Sequence, residues 1–219
     1  ALVVRPVPAV LREHRLTDQL ASAALNLATI EHRRGRLGPA LSLYDEARQL
    51  AAALAMPRAE ASVRANLAQL YLEIGALDRA RELAASAQAL AARHGLAFSA
   101  HAAALVAAEV ELVAGAPALA RAGIEALLAA LGSSSAARER AEAWILAARV
   151  ALASDADPGA ALAAAREASA AAGADDLWPR LALAEAERDA RAGDFAAALD
   201  RLERAEVAAR GEHALGAAV

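Results

Sequence analysis

The sequence predicts an all-α fold built from a row of helical hairpins, and three observations carry that prediction. Ala and Leu supply most of a composition that is 58% hydrophobic but only 3% aromatic, and β-branched residues, which favour strands, are sparse. Asn26-Leu27-Ala28…Gly35-Arg36-Leu37…Ala40 is repeated forty residues on as Asn66-Leu67-Ala68…Gly75-Ala76-Leu77…Ala80. Ala108, Gly115 and Ala120 keep the same register a third time. Glycine is scarce, 12 in 219 residues, so three at equal offsets arise by chance roughly once in 300 trials. A period of that length means one supersecondary unit per repeat, stacked on its neighbours.

Pro6 and Pro8 suit an extended lead-in, and residues 9–16 read as the tail of a preceding repeat, because Leu16, Met56 and Leu96 each close an apolar-plus-basic stretch forty residues apart. Residues 1–16 are therefore set apart from the array. Thr17-Asp18 is a candidate N-cap for a helix reaching about Arg34, which Gly35 terminates. Pro39 opens the next helix, where Leu41, Tyr44, Ala47 and Leu50 form a stripe at three- and four-residue spacing. The first unit is thus 17–56. Helices from Arg58 to Ile74 and from Leu77 to His94 make the second, 57–96, and helices from Phe98 to Ala114 and from Pro117 to Leu131 the third, 97–134. Gly132-Ser133-Ser134-Ser135 is a loop. The fourth unit, 135–173, puts Ala156 where the turn glycine is expected, and the fifth, 174–210, turns at Gly193. Residues 211–219 read as a C-terminal tail.

The Asn-Leu-Ala, Gly and Ala positions resemble those of the tetratricopeptide repeat family, in the forty-residue variant of kinesin-light-chain-like proteins and of arrays in bacterial multidomain regulators. The resemblance covers about residues 17–210. It implies a right-handed superhelical solenoid of five antiparallel helix pairs with a concave inner face. It also implies a non-enzymatic scaffold that binds a protein or peptide in that face. The alternative it offers is a regulatory or sensor domain of a larger bacterial signalling protein, such as an ATPase, kinase or transcription regulator, holding a small ligand or its own catalytic module. In peptide-binding members an Asn before Leu-Ala grips the ligand backbone, so Asn26 and Asn66 are the first site candidates. A carboxamide offers a peptide group both a donor and an acceptor. Helical spacing adds Thr29 and Arg33 to the face of Asn26, and Gln69 and Glu73 to the face of Asn66. Glu109 continues the face into the third unit, where Val106 replaces the Asn.

Other chemistry finds little footing in the residues. All 23 basic residues are Arg, which removes any lysine Schiff base and any Gly-Lys-Ser/Thr phosphate loop. A net charge of −4 with no basic stripe speaks against nucleic acid. No Cys occurs, and His14, His32, His94, His101 and His213 lack metal-ligand spacing, so neither metal nor cofactor is expected. No uncharged apolar run is long enough to span a membrane, and a cytoplasmic location is expected. Asp155-Ala156-Asp157-Pro158-Gly159 reads as a turn leading to an N-cap. Trp144 and Trp178 read as core fillers. The opening Ala1-Leu2-Val3-Val4 lacks an initiator Met and reads as a segment of something longer. Array ends without polar caps would expose apolar faces, so a homodimer through those ends is a further expectation.

Overall fold

The computed structural model describes residues 7–132 and 136–216, with side chains for 19–132 and 136–207. Among the described residues there are ten α-helices and one 3₁₀ turn, and no strand. The expected glycine register sets where they end. Gly35 has φ +70°, its N–H bonds the His32 carbonyl at 2.9 Å, and the next N–H, of Arg36, bonds Glu31 at 2.9 Å. This paired closure of a helix C-terminus requires a left-handed residue, a conformation that costs a side chain about 1–2 kcal/mol. The same two bonds recur at Gly75, Gly115, Asp155 and Gly193 within hairpins, and at Ala55, Gly95 and Gly173 between them.

The fourth turn corrects the sequence reading by one residue. Asp155, forty after Gly115, holds the left-handed conformation with φ +51°, and Ala156 follows it. Asp157 then serves the next helix, its carboxylate accepting the Gly159 N–H at 2.9 Å. A second correction concerns the start. Helix α1 spans Val7–Arg33 without a break, so Thr17-Asp18 lies inside it and not at a cap. Pro8 falls in its first turn, where a missing N–H is tolerated. Residues 1–6, the Ser133–Ser135 part of the loop, and 217–219 of the expected tail lie outside the described residues.

The chain divides into two compact units, residues 1–110 and 111–219. In the first, α1, α2 (Leu37–Ala53), α3 (Pro57–Glu73) and α4 (Leu77–Arg93) pack as consecutive pairs, and α1 also touches α3. Ala28, Ala40, Tyr44 and Ala47 form one buried cluster with Val63, Leu67 and Leu70. The alanines let the two backbones approach, as the sequence register requires. Ala65, Ala87 and Ala103 bring α5 (Ala97–Val113) against α3 and α4.

In the second unit, α6 (Pro117–Leu131), α7 (Ala137–Ala153), α8 (Gly159–Ala172), α9 (Trp178–Arg191) and α10 (Phe195–Gly216) follow the same order of contact, and α7 also touches α9. α10 continues past Arg210, where the sequence reading placed the end of the array. Ile145, Leu162, Leu177 and Leu181 centre its core, with Trp144 packed against them. Trp178 is no core filler; it is exposed on one side. The α8–α10 junction is polar. Glu185, fully buried, takes Arg166 Nε at 2.5 Å and Arg201 Nη1 at 2.6 Å. Arg201 Nε also reaches Asp189 at 2.6 Å, and Arg188 closes on the same carboxylate. Asp189 pays the desolvation that raises a buried acid, yet the Arg188 and Arg201 hydrogen bonds hold it below the ordinary carboxylate range.

Candidate functional site

Asn26 and Asn66 stand at the same register on α1 and α3, the two helices that touch across the first hairpin. Asn26 is exposed and Asn66 half-buried. Among the described residues neither carboxamide has a hydrogen-bond partner, and Asn disfavours a helix interior. Thr29, one turn on from Asn26, is half-buried and donates its hydroxyl to the Leu25 carbonyl at 2.9 Å. Arg33 is exposed and forms no ion pair among the described residues.

The polar residues on α3 are not free in the same way. Glu73 accepts the His32 Nε2 proton at 2.9 Å and a weaker bond from Gln69 at 3.5 Å. His32 therefore joins α1 to α3. Its other nitrogen lies 3.3 Å from the Tyr44 hydroxyl, which is also 3.5 Å from Thr29 Oγ1. The rings of His32 and Tyr44 meet edge to face at 5.9 Å between centroids. The His32 hydrogen bond holds the Glu73 carboxyl below its ordinary range against partial burial. Burial, in contrast, pushes the Tyr44 phenol up, with the Thr29 hydrogen bond opposing.

Three of the sequence candidates, Thr29, Gln69 and Glu73, thus join one polar seam between α1 and α3, while Asn26 and Asn66 lie on the same two helices and Arg33 is one residue beyond His32. Glu109 lies on α5, half-buried and already engaged in an interaction, outside this seam. Sequence reasoning assigned no role to the His32–Tyr44 pair. For the His32–Glu73 bond the signal was two side chains of complementary chemistry 41 residues apart, one more than the period.

Two further features bear on chemistry. Among the described residues no group of three or more His, Asp and Glu side chains is placed to hold a metal. A shallow cavity of about 150 Å³ opens between Trp178, Ala197, Asp200, Arg201 and Arg204. Its cations are committed, Arg201 to Glu185 and Asp189, and Arg204 to Asp200.

The packing of helices in consecutive pairs is that of a known repeat. Residues 19–93 match the tetratricopeptide repeat. The matched stretch holds the Asn26–Asn66 seam and both of the most faithful repeats. Across the chain, BtubC (BKLC) from P. vanneervenii has a similar fold in its crystal structure. The two are 19% identical, the match covers 94% of this chain and 92% of that one, and the TM-score is 0.59. No curated protein matches the chain. Tetratricopeptide repeats are in general protein-interaction scaffolds, and no described helix is long and apolar enough to cross a membrane.

Proposed function

We propose that this chain is a non-enzymatic scaffold that holds an extended protein segment along the α1–α3 seam. What supports this is one observation: two carboxamides at equivalent register on α1 and α3, both without a hydrogen-bond partner among the described residues, share their helices with a seam whose polar groups are already paired. An extended peptide carries N–H and C=O groups along its backbone, and two amides on neighbouring rungs match two of its peptide groups. His32, Tyr44 and Glu73 hold the two helices at a fixed separation, so the amides do not have to be ordered on binding. Arg33, exposed and without an ion pair among the described residues, favours an acidic side chain beside the first rung.

The test starts from peptides selected on the intact chain from a random display library. Their affinity is then measured for Asn26→Ala/Asn66→Ala by fluorescence polarisation. Each lost amide pair is worth about 1 kcal/mol, so the double variant should bind roughly 10- to 30-fold more weakly. Equal affinity for the variant would remove the seam from the proposal.

A further inference from the structure

The cavity beside Trp178 lies where the fifth hairpin departs from the second. Trp178, Ala182 and Arg204 stand at the intervals from Gly193 at which Glu60, Arg64 and Ser86 stand from Gly75. In the second hairpin Arg64 spans the groove between α3 and α4, paired with Glu60 and donating to Ser86 Oγ at 2.6 Å. Ala182 is too short for that crossing, and a cavity of about 150 Å³ opens beside Trp178, which stays 37% exposed. A following helix would not cover this side of α10. Its lining residues Ala197 and Asp200 match Arg79 and Glu82 on α4, and both of those are exposed although α5 follows. Pro39 and Ser42, at the same register on α2, are exposed although α3 follows.

The ion pairs around the cavity leave donors unused. Arg201 gives Nε to Asp189 and Nη1 to Glu185, each at 2.6 Å. Arg204 gives Nε and Nη2 to Asp200 at 3.1 and 2.9 Å. Arg201 Nη2 and Arg204 Nη1 meet no acceptor among the described residues. Arg166, Arg188 and Arg201 share two carboxylates, Glu185 and Asp189, so that cluster keeps one positive charge in excess. We infer that the cavity is a binding site for a small aromatic carboxylate. Its volume has room for one benzene-sized ring. The indole of Trp178 gives that ring a partner, and Arg201 Nη2 and Arg204 Nη1 give the carboxylate charge-assisted donors. The excess positive charge favours the anion over a neutral ring of the same shape. The cavity lies on α9 and α10, apart from the Asn26–Asn66 seam, so the two proposals fail independently.

Nuclear magnetic resonance with benzoate as the probe tests it. The chain has two tryptophans, so a nitrogen-15-labelled sample gives two indole N–H signals, and Trp178→Phe assigns them. Titrated with benzoate to about 50 mM, the Trp178 signal should shift saturably with a Kd of about 1 mM. The signal of Trp144, which packs against the core, should stay in place. Benzamide, a ring without the charge, and acetate, the charge without a ring, should each bind about tenfold more weakly or worse. Arg204→Gln should weaken benzoate about tenfold. Ala197→Leu, which fills the cavity from a half-buried helix position, should abolish the shift. An unmoved Trp144 signal shows that a variant is folded, and if Ala197→Leu disturbs it, Arg204→Gln decides alone. The absence of a saturable shift at Trp178 overturns the inference. Benzamide binding as tightly as benzoate also overturns it, as does undiminished benzoate binding by folded Arg204→Gln. Sulfate binding as tightly as benzoate would make this a bare anion site and overturns it too.

Discussion

Ala55 and Asp155 hold a backbone conformation that the other turns of their series give to glycine, with φ +51° at both. Ala55 is in register with Gly95, and Asp155 with Gly115. Asp155 has a local reason to be there, since its carboxylate receives Arg191 at 2.9 Å, while the same guanidinium caps α7 through the Leu152 carbonyl at 2.6 Å. Ala55 has no such contact. Ala55→Gly should therefore relieve the left-handed strain, offset in part by the greater freedom of glycine in the unfolded chain. The expected net gain is about 0.5–1 kcal/mol, read as a higher midpoint in urea denaturation. A lower midpoint would mean that the turn is not strained. These two residues also explain where sequence reading slipped. In a chain so rich in alanine, a turn without glycine carries no local mark, and Ala156 was indistinguishable from its neighbour until the φ angles fixed the position.

Between elements, the α8–α10 junction answers a packing question that the α2–α3 junction solves differently. Glu185 precedes Gly193 by the interval at which Leu67 precedes Gly75, and both are buried. The Leu is held by apolar neighbours, the Glu by Arg166 and Arg201. Replacing a buried charge by a hydrophobe of similar volume is often tolerated, whereas removing its counter-charge strands it. Arg201→Met deprives Glu185 and Asp189 of a shared partner and should cost about 3 kcal/mol. Glu185→Leu, which restores the side chain used at Leu67, should cost clearly less, because Arg166 and Arg201 keep a route to solvent. Chemical denaturation of both variants decides the order, and a larger loss for Glu185→Leu would contradict it. Nothing in the sequence pointed to this arrangement: a period argument expects an apolar residue at 185 and cannot see which arginines converge there.

For the molecule as a whole, the shifted carboxyls set how stability responds to acid. Asp189 and Glu73 are held below their unfolded values, so their contributions are complete above roughly pH 4–5 and fade as pH falls through the lower folded values. Glu142 has the opposite sign. Burial raises it, against the pull of Arg138 and Arg180, so its stabilising share is present at low pH and lost as pH rises through the raised folded value. The melting temperature should fall between about pH 5 and pH 2.5, and Asp189→Asn should flatten that fall. A profile as steep as the parent's would sink the assignment. The fold itself was legible in the sequence because three glycines and their flanking alanines fix the hairpin register. The seam was legible in part: spacing on one helix gathers Asn26 with Thr29, and Asn66 with Gln69 and Glu73. The His32–Glu73 bond depends on the offset between two helices, which periodicity on each helix does not report.

The buried Glu185 has one more consequence, for how the chain avoids assembling wrongly. Repeats that share a register are interchangeable in principle, and a folding chain is exposed to one hairpin docking in another's place. Were α9 to settle on α2, Glu185 would face Tyr44 and the alanines around it without a guanidinium to receive it. The penalty for an uncompensated buried carboxylate is several kcal/mol, which weighs against that partner. One acidic residue thus works as an address, telling the fifth hairpin which neighbour is its own.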